Sequence, residues 1–331
     1  MKTVFSGIKP TGNLGLGNYL GAFRNWKNMQ DDNKCIFSVV DLHALTVRND
    51  PIVLREQTKE IIMLYIASGI DPEKSIIYCQ SHVSAHANLG WVLGCYTYMG
   101  ELNRMTQFKE KSENSDNINA GLFTYPVLMA SDILLYNTDI VPVGEDQIQH
   151  VELTRNIAER FNNVYGDIFT IPEAVMSNKM TARIKGLQNP EKKMSKTEED
   201  PNDGIFLLDD PKTIIKKIKK AVTDSDTSVY FDKENKPGVS NLLSIYAAIT
   251  NKTIEQSEKD FSGVSYGPFK QAVADALVAE IEPMQQEYYR LKADSDYIEN
   301  IMKKNSKKAS EIADKTLYKV YNAIGLVPKS I

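Results

Sequence analysis

The sequence predicts an α/β fold, with a doubly wound parallel sheet followed by a second, all-helical domain. Strand-like and helix-like segments alternate from the first residues to position 80, and glycine- and proline-rich turns separate them. From Asp210 onward the apolar residues recur at helical spacing, and only 228–231 has the pattern of a possible strand. Alternating strands and helices favour parallel strands joined by right-handed crossovers, and the helical pattern that follows indicates a separate unit.

The strands of the first half are short apolar runs, and its helices begin at recognisable capping residues. Asp50 followed by Pro51 is a typical helix start, because Asp caps the free amide groups and Pro fits the first turn. Asn18 is a second expected N-cap. The predicted strands span 2–6, 35–40, 76–80 and 140–143, and the predicted helices span 18–30, 50–69, 84–99, 121–136 and 146–163.

The second half is separated from the first by a charged, proline-containing stretch, residues 188–202. Lys, Asp, Glu and Pro dominate this stretch, which is a composition typical of a loop. The helices predicted beyond it span 211–222, 240–250, 267–293 and 306–325.

The bulk composition is that of a globular protein without a general affinity for nucleic acid or membranes. The chain has 331 residues, of which 42% are hydrophobic and 25% charged, and its net charge is −4. A slightly acidic chain is not attracted to phosphate as a whole, although a local basic patch can be. There is neither a signal-peptide pattern nor an apolar run of about 18 residues. We therefore expect a cytoplasmic protein.

The cysteines and histidines predict neither disulfides nor a metal site. Cys35, Cys79 and Cys95 are far apart and odd in number, which favours free thiols in a reducing compartment. His82 and His86 have the spacing of two ligands on one helix face, but no third ligand lies near them in the sequence.

The most informative segment is an apolar, helix-length stretch, 121–136, that contains a single carboxylate, Asp132. A charged side chain is rarely buried without a partner, because an unpaired buried charge is costly or shifts its pKa. The stretch contains no Lys or Arg. Asp132 therefore finds a distant cation, lies on a solvated edge, or awaits a ligand that donates a hydrogen bond.

A predicted strand and an acidic turn follow shortly after this stretch. Residues 140–143 are apolar, Gly144 ends the run, and the acidic turn 145–147 opens an amphipathic helix. The helix dipole alone explains acidic residues at a helix start. Ligands in open α/β sheets, however, bind at the carboxyl ends of strands. The closeness of this junction to Asp132 in the sequence favours a ligand site.

Two loops have compositions suited to a polyphosphate. In 5–21, five glycines follow a strand and precede a helix, so that backbone amides can approach a phosphate. This loop matches neither the P-loop nor the dinucleotide motif, and a flexible turn is the alternative. In 191–197, three lysines and two hydroxyl residues lie together. They indicate either a solvated linker or a cationic loop that closes over phosphates.

An apolar slot with one acceptor is expected at the same edge of the sheet. Such a slot suits an aromatic ligand that carries a single N–H or O–H group. Its predicted lining is Phe5, Val40, Met129, Asp132, Val141 and Val143.

Together these motifs resemble those of the class I aminoacyl-tRNA synthetases, and closely those of the bacterial-type tryptophanyl-tRNA synthetases. Residues 9–18, which end in Gly-Leu-Gly-Asn, are similar to the first family signature, and 193–197 is similar to the second, KMSKS, with Thr at its last position. The resemblance spans 2–325. Three further segments match the tryptophan enzymes: 108–111, 124–132 and 144–147.

The resemblance implies a Rossmann-like catalytic domain formed by 1–187 and 286–331, with the C-terminal helix packing back on it. Residues 188–285 would form a mobile loop and a helical anticodon-recognition domain, in which the lysines of 216–220 either contact tRNA phosphates or form a solvated face. The implied substrates are L-tryptophan, ATP and tRNA(Trp), with Mg²⁺ bound mainly through phosphates. The carboxylate of tryptophan would attack the α-phosphate of ATP, and tryptophan would then pass to the 3′ end of the tRNA. A homodimer is also implied.

The resemblance further assigns roles to individual residues. Asp132 would accept the indole N–H, and Tyr125 and Gln147 would hold the ammonium group of tryptophan. Four residues would stabilise the leaving pyrophosphate: Lys111, Lys193, Ser195 and Lys196. The other tryptophan-site residues would be Phe5, Val40, His43, Met129, Val141 and Val143, and the other ATP-site residues would be Lys9, Pro10, Thr11, Gly17, Asn18, Gly144, Glu145, Asp146, Ile184, Met194 and Thr197.

Two positions depart from the family pattern. Position 15 is usually His or Thr, whose side chain reaches the ATP phosphates, whereas this chain has Gly15. Loss of a charge-assisted contact costs on the order of 1–3 kcal/mol, unless Lys9 or the backbone compensates. Lys9 itself often is Gln in relatives.

Two other functions stay open at this point. A tyrosyl-tRNA synthetase is an alternative, because a phenol also donates one hydrogen bond, although Met129 and the 144–147 motif favour tryptophan. A non-catalytic paralogue that binds tryptophan or RNA is supported only by Gly15, and the intact Lys193, Ser195 and Lys196 argue against it.

Overall fold

A five-stranded parallel sheet lies at the centre of the first half of the molecule. The computed structural model describes residues 1–113, 118–176, 184–194 and 200–327. The strands are β1 (Thr3–Ile8), β2 (Lys34–Val39), β3 (Ile76–Cys79), β4 (Ile140–Val143) and β5 (Glu173–Met176), in the spatial order β3-β2-β1-β4-β5. Every pairing in this sheet is parallel, which confirms the predicted α/β architecture.

The sequence predicts four of these strands and misses β5. β5 lies at the edge of the sheet, where it pairs with β4 alone, and none of its residues is buried. No apolar run therefore marks this strand, whereas β1 and β2 are almost wholly buried. The possible strand at 228–231 does not form.

The helices of the first half cover both faces of the sheet. A π-helical turn (Tyr19–Phe23) joins the first two helices, and 3₁₀ turns occur at Gln80–His82 and Glu145–Gln147. The helices are α1 (Leu16–Asn18), α2 (Arg24–Met29), α3 (Asp41–Ala44), α4 (Pro51–Ala67), α5 (Ala85–Gly94), α6 (Met99–Asn103), α7 (Thr106–Glu113), α8 (Ala120–Leu134) and α9 (Ile148–Tyr165).

The two predicted N-caps have different outcomes. The Asp50 side chain accepts hydrogen bonds from two amides in the first turn of α4, which confirms its role. The prediction for Asn18 is wrong: α1 begins at Leu16 with Gly15 at its N-cap, and Asn18 reaches back to the Gly15 amide. The helix predicted over 84–99 also ends early, at Gly94, before a turn that leads into α6.

The second half is helical, as predicted. Its last helix begins at Ser295, well before the predicted start at 306, and the Asp294 side chain caps it by accepting from the Tyr297 amide. The helices are α10 (Pro211–Lys220), α11 (Pro237–Thr250), α12 (Ile254–Asp260), α13 (Tyr266–Lys292) and α14 (Ser295–Ala323).

Apolar side chains of the sheet alternate between two cores, because successive residues of a strand point to opposite faces. Val4 and Phe37 belong to one core, which continues into the helical half, while Phe5, Ile36 and Tyr78 belong to the other. None of the helices within the described ranges combines the length and apolarity that a membrane crossing needs.

Two long helices connect the sheet with the helical half. α13 packs against α10, α11 and α4, and α14 packs against β3 and α5. The predicted domain limit at 285/286 falls within the continuous helix α13, and the division into two domains stays a prediction.

Candidate active site

The carboxyl ends of β1 to β4 meet along one edge of the sheet, because parallel strands all end on the same side. Lys9 follows β1, and His43 lies in α3 shortly after β2. Gln80 follows β3 directly, and Gly144 follows β4. This edge therefore collects side chains from four separate parts of the sequence.

Asp132 on α8 reaches this edge and is buried, with only 1% of its surface exposed. Its Oδ1 accepts hydrogen bonds from Gln80 Nε2 and from His86 Nδ1, both at 2.6 Å. Its Oδ2 lies 2.7 Å from His43 Nε2. The carboxylate is thus buried and partnered, and its partners are two imidazoles and an amide rather than Lys or Arg.

The protonation state of Asp132 follows from these partners. Burial by itself raises the pKa of Asp132, but the charge and hydrogen bond of His43, together with His86, outweigh burial and hold the pKa well below its ordinary value. Asp132 is therefore ionised at neutral pH. An ionised carboxylate has about four acceptor positions, and the contacts to His43, Gln80 and His86 occupy three. Oδ2 keeps one position for a further donor.

A second layer of hydrogen bonds fixes the partners of this carboxylate. His86 Nε2 lies 2.9 Å from the Tyr78 hydroxyl and 3.0 Å from the Tyr136 hydroxyl. The Leu42 amide donates to Gln80 Oε1 at 3.1 Å. In a neutral imidazole whose Nδ1 donates to the carboxylate, Nε2 accepts from a tyrosine hydroxyl. Gln80 and His86 are thus held in place by hydrogen bonds of their own, and the free acceptor position on Asp132 Oδ2 has a fixed place.

Sequence reasoning assigned Asp132 and His43 to the site but missed Gln80 and His86. Spacing alone pairs His86 with His82, yet His82 Nδ1 lies 3.2 Å from Ser306 Oγ, away from Asp132. Within the described ranges, no group of three or more His, Cys, Asp or Glu is arranged to hold a metal ion. The one sequence signal for Gln80 is its position at the end of a predicted strand.

Three of the predicted slot residues are buried in the core beneath this network. These residues are Phe5, Val141 and Val143, and Met129 packs against the same core as a half-buried side chain. The Phe5 ring stacks on that of Tyr136, with centroids 5.6 Å apart. The apolar lining and the Asp132 network are therefore in direct contact.

Val40 has a different environment from the other slot residues. It is half-buried between β2 and α3, and its Cγ1 would lie 2.8 Å from a β-carbon on Gly7. Real β-carbon contacts are longer than this, so the close approach of Val40 to β1 explains the glycine at position 7.

A second polar cluster surrounds Tyr125. Its hydroxyl donates to Gln107 Oε1 at 3.1 Å and lies 2.8 Å from His150 Nε2. Gln107 Nε2 donates to the backbone oxygen and Oδ2 of Asp146 at 3.1 and 3.2 Å, and Gln147 Nε2 donates to the same Oδ2 at 2.8 Å. Gln107, which sequence reasoning missed although it precedes the 108–111 motif, joins the predicted tryptophan residues to a predicted ATP residue.

His150 is a neutral, fully buried member of this cluster. Burial and the nearby charge of Lys111 lower the pKa of His150 to about 4. The Tyr125 hydroxyl donates its hydrogen to Gln107, so its oxygen can only accept from His150. Nε2 is therefore the protonated ring nitrogen of His150. Nδ1 is buried without a hydrogen-bond partner among the described residues.

Lys111 lies beside the Tyr125 cluster. Lys111 Nζ donates to Gln107 Oε1 at 2.9 Å and lies 4.9 Å from the centroid of the Tyr125 ring. Burial of its ammonium group and the charge of Lys9 lower the pKa of Lys111, and burial lowers the pKa of Lys9. A nearby cation disfavours the charged form of a lysine, so an anion bound beside Lys111 would favour its charged form.

The turn after β4 brings Gly144 against Asp146. A β-carbon on Gly144 would lie 2.9 Å from Asp146 Oδ1, so a larger residue would displace that carboxylate. Glu145 and Asp146 are exposed at the start of the 3₁₀ turn, where a ligand can reach them.

The glycine-rich loop after β1 is tightly turned. The Thr11 amide donates to the Lys9 carbonyl at 2.9 Å, and Gly12 has a φ of 69°, a left-handed conformation that favours glycine. The Gly15 amide donates to Asn18 Oδ1 at 3.1 Å. The loop contains the predicted ATP residues Lys9, Pro10, Thr11, Gly17 and Asn18, of which Pro10 is buried and Gly17 is exposed.

Gly15 and Gly17 have different surroundings. A β-carbon on Gly17 would meet nothing within 4 Å, whereas one on Gly15 would lie 3.2 Å from the Ile205 carbonyl oxygen. The Leu16 amide donates to the same carbonyl at 2.9 Å. The chain that follows the second signature therefore limits the space at position 15.

The second predicted ATP segment begins as a short hairpin. The Met194 amide donates to the Ile184 carbonyl at 3.2 Å, and Lys185 and Lys193 pair in an antiparallel bridge. Ile184 is buried and Lys193 is exposed. Three predicted site residues lie outside the described residues: Ser195, Lys196 and Thr197.

The similarity of this chain to other proteins extends over nearly its whole length. Residues 1–282 match the family model described as tRNA synthetases class I (W and Y). The chain is 52% identical over 327 residues to a tryptophan–tRNA ligase of Clostridium tetani, covering 98% of this chain and 96% of that protein. It is similar to the crystal structure of tryptophanyl-tRNA synthetase from Mycoplasma pneumoniae, with a TM-score of 0.90, 36% identity, and coverage of 99% and 98% of the two chains. The enzyme from Campylobacter jejuni, solved with ADP and tryptophan, matches with a TM-score of 0.83, 34% identity, and coverage of 98% and 100%.

Proposed function

The chain belongs to the class I tRNA synthetases for tryptophan and tyrosine and acts as a tryptophan–tRNA ligase, and we propose that the network around Asp132 is its site for the indole ring. The enzyme joins L-tryptophan to ATP, which gives tryptophanyl-adenylate and pyrophosphate, and then transfers tryptophan to the 3′ end of its tRNA. The residues that perform these steps are proposed from the geometry.

One observation supports the indole site most strongly: Asp132 is buried and ionised and keeps a single free acceptor position next to apolar side chains. The indole N–H is a donor without acceptor capacity, so it complements that position. Phe5, Val141 and Val143 would pack against the bicyclic ring. A site built around one hydrogen bond rejects a ligand that lacks the donor by about 10⁴–10⁵-fold, which excludes phenylalanine.

We assign the amino-acid end of tryptophan to the Tyr125 cluster. The Tyr125 hydroxyl oxygen and the side-chain oxygen of Gln147 are acceptors that suit the ammonium group, and Asp146 adds a nearby negative charge. His43 contacts both regions, since it bonds Asp132 and its ring lies edge-on to Tyr125 at 6.2 Å. The carboxylate of tryptophan would then face the lysines.

The phosphate side of the reaction is assigned to the lysines at the edge of the sheet. The carboxylate oxygen of tryptophan attacks the α-phosphorus of ATP, the bond to the bridging oxygen breaks, and pyrophosphate leaves with the electron pair. Lys9, Lys111 and Lys193 would stabilise the charge on the leaving group, together with Ser195 and Lys196 on the evidence of sequence alone. This chemistry needs positioning and electrostatic stabilisation, without a covalent intermediate on the protein.

The nucleoside of ATP is assigned to three elements. Gly17 and Asn18 would face it from the glycine-rich loop, Gly144 and Asp146 would contact the ribose, and Ile184 would contact the adenine. Mg²⁺ would be carried by the phosphate oxygens, since the described residues offer no cluster of ligands for it. When bound, the ion would neutralise charge on the pyrophosphate.

The helical half is proposed to recognise tRNA. Lys216, Lys219 and Lys220 are exposed on α10 and available to phosphates. Lys217 is not available, because it is buried, bonds the Gly204 carbonyl at 2.9 Å, and pairs with Asp209 at 2.7 Å. Three lysines of the 216–220 run, rather than four, therefore form the candidate phosphate contact.

A homodimer in the cytoplasm is proposed as the working form. Four large apolar side chains in the short segment that ends α3 and begins α4 are exposed, a concentration that a second copy of the chain would cover. These residues are Leu45, Val47, Ile52 and Val53. Sedimentation velocity of the full chain tests this proposal, and a monomer at all concentrations would contradict it.

The overall proposal is tested by ATP–pyrophosphate exchange with each of the twenty amino acids. We expect exchange with L-tryptophan and none with phenylalanine. Exchange that depends on tyrosine instead would favour the tyrosyl enzyme, and exchange with no amino acid would favour a non-catalytic paralogue. Charging of tRNA(Trp) with labelled tryptophan then tests the second step.

A further inference from the structure

The short hairpin that leads into the second signature has one edge that the hairpin itself does not satisfy. Its two strands are joined by bonds from the Gly186 amide to the Lys192 carbonyl at 3.0 Å and from the Met194 amide to the Ile184 carbonyl at 3.2 Å. In an extended chain, the backbone groups of successive residues point to opposite sides. The amide and carbonyl of Lys185 therefore point away from the partner strand.

The side chain of Asn241 on α11 satisfies this outer edge. Its Oδ1 accepts from the Lys185 amide at 2.8 Å, and its Nδ2 donates to the carbonyls of Lys185 and Gly186 at 2.9 and 3.2 Å. Asn241 is buried, with 5% of its surface exposed. One amide side chain thus takes the place of a third strand and makes three bonds in a site shielded from water.

The other end of α11 is held beside the first signature. The Arg24 guanidinium, at the start of α2, donates to the carbonyls of Ala248 and Ile249, the latter at 3.1 Å. α2 follows the glycine-rich loop through the π-helical turn. A single rigid helix therefore spans from the chain of the first signature to the hairpin of the second.

We propose that Asn241 is a positioning residue for adenylate formation, acting through the Lys185–Gly186 backbone on the hairpin that carries Ile184 and Lys193. The proposal rests on the proposed function, in which Ile184 contacts adenine and Lys193 the leaving pyrophosphate. The tryptophan pocket lies on other elements, so Asn241 does not affect the binding of tryptophan.

The chemistry of the side chain makes the role specific. The outer edge presents one N–H donor and two carbonyl acceptors. An amide side chain carries an acceptor oxygen and a donor NH₂ group in one plane, so it complements all three backbone groups. Aspartate keeps the acceptor for the Lys185 amide but faces two carbonyl oxygens with a carboxylate, so it repels them. Alanine leaves all three backbone groups buried without partners, and such groups are costly. In both variants the hairpin shifts away from α11.

The test compares Asn241→Ala and Asn241→Asp with Asn305→Ala in ATP–pyrophosphate exchange. Asn305 is a matched control, because it is also a buried asparagine that donates to a backbone carbonyl, that of Pro72, but it lies on α14 away from the hairpin. A misplacement of about 1 Å can lower the rate of a positioned reaction about a hundredfold. We expect kcat to fall about ten- to a hundredfold in both Asn241 variants, with the KM for tryptophan within about twofold of the unmodified enzyme.

Hydrogen–deuterium exchange of the peptide 184–194 gives a readout that does not depend on activity. Exchange at the Lys185 amide should accelerate in Asn241→Ala, which removes the acceptor of that amide, and stay unchanged in Asn305→Ala. If Asn241→Ala does not fold, Asn241→Asp, which keeps the side-chain volume, decides the question. Equal kcat and equal hydrogen–deuterium exchange in the Asn241 variants and the control would overturn the proposal. If the unmodified chain shows no tryptophan-dependent ATP–pyrophosphate exchange, the proposed function fails instead.

Discussion

The two halves of the candidate site differ in how completely their polar groups are satisfied. Around Asp132, every member of the network has hydrogen-bond partners from other elements of the sheet domain. On the side proposed for the phosphates, burial and the charge of Lys9 lower the pKa of Lys111, and Lys193 is exposed. In the proposed site, the tryptophan side therefore consists of paired side chains, whereas the phosphate side consists of cations that a polyphosphate would pair with.

This difference has a physical cause. The indole ring of tryptophan carries one polar group, its N–H, so recognition of the ring depends on a dry site with one acceptor in a fixed place. ATP carries several negative charges, and cations held near each other interact most favourably when those charges are bound between them. Lys9 and Lys193, two of the three described lysines proposed for the phosphates, lie in loops, whereas Asp132 lies on the packed helix α8.

Removal of Asp132 is expected to have the largest effect and to act on one side only. Asp132→Ala leaves the buried Gln80 and His86 and the half-buried His43 without their common partner, which would lower the free energy of unfolding by about 3–5 kcal/mol. We expect the KM for tryptophan to rise by roughly a hundredfold or more and the KM for ATP by less than about twofold. Pyrophosphate exchange measures both constants.

Asp314→Ala is the matched control, because Asp314 is an exposed aspartate on α14. It should leave both constants unchanged. An equal loss for tryptophan and ATP in Asp132→Ala would remove the distinction between the two sides.

His150, which lies between the two sides, predicts a pH dependence of stability. Its pKa is lowered by burial to about 4 from the ordinary 6.5, so the unfolded chain binds a proton at a higher pH than the folded one. The free energy of unfolding should therefore be highest above pH 6.5 and fall by about 3 kcal/mol as the pH drops to 4.

Urea unfolding at a series of pH values measures this contribution. His150→Gln should flatten the decline over that range, whereas His82→Gln, at an exposed histidine, should not. Parallel pH profiles for the unmodified protein and His150→Gln would show that His150 is protonated in the folded state as well.

Lys111→Met tests the phosphate side with a smaller effect. Loss of one hydrogen bond from a charged group is expected to lower the kcat of ATP–pyrophosphate exchange about tenfold. The KM for tryptophan should stay nearly unchanged. Lys109→Met, at an exposed position of the same helix α7, is the control and should retain full activity. A rise in the KM for tryptophan without a change in kcat would assign Lys111 to the amino-acid side.

Gly15→Thr should have the smallest effect. The new β-carbon would lie 3.2 Å from the Ile205 carbonyl oxygen, so the neighbouring chain must move by a few tenths of an ångström. We expect the exchange rate to stay within about threefold of the unmodified enzyme or to rise, at a stability cost of up to about 1 kcal/mol. A large drop would show that this loop cannot accept the side chain usual in the family.

Much of the fold follows from local patterns. The four apolar strands, the capped start of α4 and the helical second half are encoded by periodicity and by capping residues, which act over a few positions. The sequence misses β5 because this exposed edge strand has no apolar run. It misses the start of α14 because no apolar pattern marks the turn that Asp294 caps. The three free cysteines are confirmed, with Cys95 exposed and the other two buried.

The position of Asp132 in an apolar helix shortly before a strand could be predicted from the sequence, because both features are local. Its partners could not be predicted, because they lie 89, 52 and 46 positions away along the chain and meet Asp132 only in the folded protein. The same holds for Asn241, 56 positions from the backbone that it binds. Contacts of this kind depend on strand order and helix packing, which the whole chain sets through the burial of its apolar surface.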